Sequence, residues 1–177
     1  MYIMSDEALY TMNEYDMKQH ELFMKEALAL AKTAYEQGEV PVGAVVVCDG
    51  EIVGRGYNRR EGDKNALAHA ELLAIDEACK VLGGWRLWKC DLFVTLEPCP
   101  MCAGAIINSR IKTVYFGARD EKAGSLGSVT NLFELPYNHR PEVVSGILED
   151  ECKSILSSFF AELRRKRKED PLSDKQM

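Results

Sequence analysis

The sequence has no stretch of roughly eighteen consecutive apolar residues, so no membrane-spanning helix is expected. Its opening, Met1-Tyr2-Ile3-Met4-Ser5-Asp6-Glu7, has neither a basic start nor an apolar stretch, so it is not read as a secretory signal. A cytoplasmic location is the resulting expectation. Positive charge is in deficit: 22 lysines and arginines face 28 acidic residues, a net charge of −6. That excludes a chain-wide basic field for nucleic acid, and any polyanion has to meet a local basic patch. Internal repeats and linker-like segments are absent, so one domain is expected. With 46% hydrophobic residues over 177 positions, the chain can bury a sizeable core. Six cysteines in a reducing compartment argue against a disulfide framework and leave metal or redox chemistry for close-set pairs.

The apolar pattern divides the chain into alternating elements. Residues 1–16 are polar and aperiodic and are expected to be a poorly ordered extension; 17–168 read as the single domain, and 169–177 as a tail. From Met17 to Gln37 apolar residues return at three- and four-residue steps, as on a helix, and Gly38 stops them. Val40 to Val47 is continuous, apolar and β-branched, which predicts a buried strand. Asp49-Gly50 predicts a tight hairpin turn into a second strand, 51–57. A helix is predicted over 69–82, a strand over 91–96, a helix over 98–109 and a strand over 112–116 closed by Gly117. A short helix near 129–135, an edge strand near 143–146 and an amphipathic helix over 148–168 complete the order. A hairpin followed by alternating helices and strands predicts an α/β fold, a three-layer α/β/α sandwich on a mixed five-stranded sheet.

The chemistry concentrates in Thr95-Leu96-Glu97-Pro98-Cys99-Pro100-Met101-Cys102 and, upstream, His69-Ala70-Glu71. A Cys-x-x-Cys pair alone fits a redox couple or half of a structural zinc knuckle equally well. His69 changes the balance. With Cys99 and Cys102 it makes three ligands, the number a catalytic zinc uses while a fourth position stays open for water. A helix N-terminus also favours the thiolate form that a metal needs. Glu71, two residues from His69, is free to work as a general base on a water that the metal polarises.

These residues resemble the cytidine/deoxycytidylate deaminase superfamily. Within it, the segments Glu39 to Val45, Ala68 to Glu71, Leu96 to Ala105, Ser109-Arg110, Phe116 to Asp120, Asn138 to Arg140 and Ser158 to Phe160 are similar to the bacterial tRNA-specific adenosine deaminases. The resemblance spans about residues 18–167 and implies the cytidine deaminase-like form of the fold. It implies one Zn²⁺ per subunit on His69, Cys99 and Cys102, a homodimer, and a tRNA anticodon loop as partner. The implied reaction is hydrolytic deamination of adenosine to inosine at the wobble position, with release of ammonia. Glu71 is then catalytic, taking the proton of the attacking water, protonating N1 and then the departing amine. Such a base has to be flipped out of its stack into a pocket. Implied substrate contacts are Asn58 on the nucleoside, Val42 against the base, the backbone near Ala70 and Cys99 polarising it, and Asp120 beside the RNA backbone. Phe160 and Arg164 extend this list on the last helix, whose basic end, 164–168, is the local patch available for phosphates.

The motif chemistry alone does not separate adenosine in tRNA from a free nucleobase or nucleotide such as cytosine, guanine or deoxycytidylate. A structural-zinc RNA-binding module is the non-enzymatic alternative. The other residues have plainer readings: Asn58 as a turn residue, one of Phe159 and Phe160 as core, and His139 as structural. Cys48, Cys79, Cys90 and Cys152 read as small buried hydrophobes, and Trp85 and Trp88 as packing at a loop or subunit interface.

Overall fold

The apolar run through Val45 and Val46 feeds two cores at once, because successive side chains of a strand point to opposite faces. The computed structural model describes residues 14–169. Its elements in order are α1 (Glu14–Glu36), β1 (Gly43–Cys48), β2 (Glu51–Tyr57), α2 (Ala70–Leu82), β3 (Cys90–Leu96), α3 (Pro100–Ser109), β4 (Thr113–Ala118), a 3-10 turn (Leu132–Glu134), β5 (Glu142–Ser145) and α4 (Glu149–Glu169). The strand order is β2-β1-β3-β4-β5. β1 is antiparallel to both neighbours, whereas β3, β4 and β5 run parallel. The sheet is the mixed five-stranded one expected. Asp49 and Gly50 both carry positive φ, 50° and 83°, as a two-residue hairpin turn of this hand requires.

One core joins Ala44, Val46, Leu92, Val94, Val114 and Phe116 of the sheet to Ala74, Ala78, Ala103 and Ile106 of α2 and α3. The other joins Val45, Val47, Phe93 and Tyr115 to Met24 and Ala27 of α1 and Cys152 of α4. Helices therefore cover both faces of the sheet in three layers.

Several boundaries differ from those the periodicity predicts; β1, for one, opens at Gly43 rather than Val40. α1 opens at Glu14, inside the expected N-terminal extension; the rest of that extension, 1–13, and 170–177 of the tail lie outside the described residues. α3 begins at Pro100 rather than Pro98, because residues before proline are driven to extended backbone and Cys99 stays there at φ −73°, ψ 172°. β4 runs on through Gly117 to Ala118. Gly117 is a contact rather than a stop: a Cβ there would lie 2.3 Å from Cys152 Sγ of α4. The helix expected near 129–135 shrinks to the single turn Leu132–Glu134, with Asn131 Oδ1 accepting from the Phe133 N–H.

The placement of α2 depends on missing side chains. A Cβ at Gly54 would lie 2.1 Å from Ala74 O, and one at Gly56 would lie 2.1 Å from Ala70 O. The α2 residues facing them are Ala70, Ala74 and Ala78, all fully buried. Helix backbone thus rests directly on strand backbone. Gly54→Ala is expected to destabilise the fold by about 2 kcal/mol or more, as overpacking a tight contact does. Gly84→Ala, at a position with open space around it, is expected to stay within about 0.5 kcal/mol of the parent. Chemical denaturation of the two variants checks the contrast.

Candidate active site

His69 and Cys99 sit at the N-cap positions of α2 and α3, and neither side chain caps its helix. Both are turned instead toward each other. His69 Nδ1 lies 3.7 Å from Cys99 Sγ and 3.5 Å from Cys102 Sγ. All three donor atoms fall within 4.8 Å of one another. Pro100 at the start of α3 has no N–H to leave unsatisfied, which suits a helix whose cap residue is committed elsewhere. The Leu73 N–H donates to His69 O (3.1 Å) and the Ala103 N–H to Cys99 O (2.9 Å), so each ligand is anchored by the first helical bond of its own helix.

The hydrogen bond from Cys102 holds the Cys99 thiol down at about 4, and the same bond, with burial, pushes Cys102 far up. The hydrogen bond to Cys99 also raises His69. The donor set fits a tetrahedral zinc: bond lengths of about 2.1 Å to nitrogen and about 2.3 Å to sulfur give a nitrogen–sulfur edge of about 3.6 Å. The observed edges are 3.7 and 3.5 Å.

Glu71, in the first turn of α2, is buried, and its carboxyl reaches Cys102. Within the protein matrix alone, burial pushes the Glu71 carboxyl up to about 7. A carboxyl in that range both accepts and returns a proton near neutrality; a dication held by the neighbouring ligands would draw it down.

Asn58 takes over the capping that His69 gives up. The Ala70 N–H donates to Asn58 Oδ1 at 2.9 Å, and the Asn58 N–H donates to Val42 O at 3.1 Å. Val42, Asn58, Ala70, His69 and Glu71 are thereby tied into one wall. Val42 and Ala70 are both buried there. The Ala70 N–H is engaged by Asn58 in this arrangement.

Asp120 lies on the loop after β4, and Phe160 and Arg164 lie on α4. Asp120 Oδ1 accepts from the Lys122 N–H (2.9 Å) and the Ala123 N–H (3.2 Å), shaping the loop after β4. Phe159 is core, edge-on to Tyr35 at 5.4 Å. Phe160 is 39% exposed and lines a cavity of about 330 Å³ with Lys122, Leu156, Ser157 and Arg164. Within the basic end of α4, Lys166 pairs with Glu162 at 2.7 Å. His139 Nε2 donates to Ile111 O at 2.6 Å, a structural contact.

Two residues escaped the sequence reading as functional positions. Glu97 and Glu39 are 2% and 3% exposed, and each takes backbone N–H groups from a loop beside the site. Glu39 accepts from Gly62 (2.8 Å) and Glu61 (3.2 Å). Glu97 accepts from Leu126 (2.9 Å), Ser128 (3.0 Å), Asp120 (3.2 Å) and the Ser128 hydroxyl. Charge-assisted hydrogen bonds of about 1.5–3 kcal/mol each offset the cost of burying such a carboxylate. A charged residue embedded beside apolar neighbours and a nearby proline, as in Leu96-Glu97-Pro98 and Glu39-Val40-Pro41, is the signal that could have found them.

Removing one ligand tests the metal centre. Cys102→Ala is expected to drop bound zinc from about one per chain to a small fraction of that, read by elemental analysis. Zinc uptake by the metal-stripped parent at neutral pH is expected to release protons, since Cys102 is held as a thiol and binds as a thiolate. A pH indicator in weak buffer checks the release, and affinity falls as pH is lowered.

Residues 17–118 match the family model described as the cytidine and deoxycytidylate deaminase zinc-binding region. Over 153 residues, 86% of this chain and 95% of the relative, the sequence is 58% identical to a tRNA-specific adenosine deaminase of Bacillus subtilis (strain 168). A solved structure from a study of A-to-I editing by tRNA:A34 deaminases at the wobble position of transfer RNA superposes with a TM-score of 0.74. It is 47% identical, over 76% of this chain and 98% of that one. The guanine deaminase of Bacillus subtilis superposes less closely, at a TM-score of 0.56 and 37% identity over 82% of this chain and 94% of that one. With the ligand geometry, the fold and the sequence match in agreement, the chain belongs to the zinc-binding cytidine and deoxycytidylate deaminase family.

Proposed function

We propose that this protein is a zinc-dependent hydrolytic deaminase that converts adenosine to inosine at the wobble position of a tRNA anticodon. The observation that carries the reading is the 58% identity, across 95% of its length, to a protein named tRNA-specific adenosine deaminase. The site residues supply the chemistry. Bound zinc would polarise a water. Glu71, beside the ligands and buried, takes one proton from that water as its oxygen adds to C6 and delivers it to N1 of the flipped adenine; it then moves the remaining proton of the added oxygen to the amine, so that the C6–N bond breaks, ammonia leaves and C6 keeps the oxygen as a carbonyl. Asn58 keeps its Nδ2 donors for the nucleoside while Oδ1 holds the Ala70 N–H. Val42 backs the base from the same wall.

The RNA outside the flipped base is assigned to the second wall. Single-stranded RNA is held by stacking on exposed aromatics and by phosphate contacts. Phe160, Arg164 and Lys122 around one cavity offer both on an otherwise acidic chain, and Asp120 lies on the loop that carries Lys122. A homodimer belongs to the same proposal. Val81, Leu82, Trp85 and Trp88 offer exposed apolar surface for such a contact, Trp88 at 62% exposure, with the Arg86 guanidinium 4.2 Å above the Trp85 ring. Among the described residues no helix is long and apolar enough to cross a membrane.

The decisive assay incubates zinc-loaded protein with an anticodon stem-loop bearing a wobble adenosine, and separately with free adenosine, cytosine and guanine. Inosine is expected in the RNA. Turnover of free guanine or cytosine with an unedited stem-loop overturns the substrate. Glu71→Ala is expected to lose activity by at least about 1,000-fold while still binding the stem-loop; an RNA-binding module would show no activity in the parent either.

Asn58 separates its two roles by substitution. Asn58→Asp keeps an acceptor for the Ala70 N–H but loses the amide donors, so activity falls while the melting temperature holds. Asn58→Ala loses the cap as well, at about 1 kcal/mol. Thermal melts alongside kinetics distinguish the two.

A further inference from the structure

Glu97 touches neither the ligand cluster nor Glu71 through any hydrogen bond described above, yet the segment before Cys99 and the loop after β4 meet at its carboxylate. Two oxygens receive four donors, all from residues 120–128. The loop is moulded around them: a Cβ at Gly124 would lie 2.5 Å from Glu97 Cδ and Oε2. The Ser125 N–H also donates to Pro98 O at 2.9 Å, tying the same loop to the ligand segment. Regular pairing contributes little here, the isolated bridge being Leu126 with Asn131. Within this loop Asp120 fixes the turn that presents Lys122 to the cavity shared with Phe160 and Arg164.

We infer that Glu97 is a positioning residue for substrate specificity: its carboxylate sets the 120–128 loop so that Lys122 faces Phe160 and Arg164, and so governs how firmly RNA beside the flipped base is held. The inference rests on the tRNA reading of the site. Only an acceptor-only group satisfies these four donors. A glutamine would turn its amide N–H toward the Asp120 N–H in one orientation, or toward the Leu126 and Ser128 N–H groups in the other, donor against donor. The ligand segment has its own anchors, since the Glu97 N–H donates to Ala118 O at 2.8 Å and Cys99 opens α3. A side-chain change at Glu97 therefore loosens the loop and leaves the zinc cradle in place.

Steady-state kinetics on the anticodon stem-loop, with zinc content and melting temperature measured on each protein, test this. Glu97→Gln is expected to keep parental zinc and to raise KM by about 10-fold or more with kcat within about 3-fold, the pattern of lost binding rather than lost chemistry. Glu97→Asp, which keeps the acceptor-only group, is expected to recover part of that KM. Ser128→Ala removes one donor and keeps the carboxylate; it shifts KM the same way by less. Lys122→Ala is expected to cost less in the Glu97→Gln background than in the parent, because the loop that presents it has already moved. Zinc loss, a fall in kcat at constant KM, or an undiminished Lys122 effect overturns the inference. If Glu97→Gln does not fold, Ser128→Ala and its cycle with Lys122→Ala decide by the same criteria. A parent protein that leaves the stem-loop unedited overturns the tRNA reading and the inference together. An active parent with an unchanged KM in the variants overturns the inference alone.

Discussion

The contact of α2 with β2, backbone against backbone, is the constraint on which the site depends. Gly54 and Gly56 have no Cβ, and Ala70, Ala74 and Ala78 have nothing larger than one. The start of α2 therefore sits where Asn58, just past the end of β2, can reach the Ala70 N–H. That bond frees His69 from capping. The free imidazole then meets two sulfurs from α3, a helix packed on the same face of the sheet. A larger residue at either glycine would lift the helix and move His69 and Glu71 together, since one is its N-cap and the other lies in its first turn. The two residues thus share one support.

The zinc constellation was legible because its spacing is local. Cys99 and Cys102 face one way by helix geometry, and Glu71 follows His69 by two residues. The layer order was legible as well, since an unbroken β-branched run such as Val45-Val46-Val47 makes sense only in a strand covered on both faces. Where boundaries slipped, the competing effect was tertiary at Gly117 and local at Cys99. Gly117 resembles a strand terminator in one dimension, yet it is a strand residue pressed against Cys152. Pro98 suits a first helical turn, but Pro100 follows it closely and forces Cys99 to stay extended.

Glu97 and Glu39 were illegible for a different reason. A glutamate satisfied by backbone N–H groups leaves no partner residue in the sequence to pair with it. Apart from the Ser128 hydroxyl, the donors to both carboxylates are main-chain atoms of a loop more than twenty residues away, and every non-proline residue has the same donor. Asn58 was half legible for a related reason: a turn asparagine and a helix-capping asparagine look alike until the helix it caps is located.

These two carboxylates also explain how rigid loops arise without regular structure. A loop held by strand pairing inherits the geometry of the sheet, whereas a loop gathered around a single buried anion takes its geometry from one side chain. The first arrangement suits the wall that carries Asn58, His69 and Glu71, whose spacing follows from the contact of α2 with β2. The second suits the wall assigned to RNA, because a segment pinned at one point can change its outer residues and keep its path. Buried charge ordinarily weakens a fold if a partner is lost. Spreading the partners over Asp120, Leu126 and Ser128 lowers that risk, since no single substitution in the loop removes all the backbone donors and only proline removes one of them.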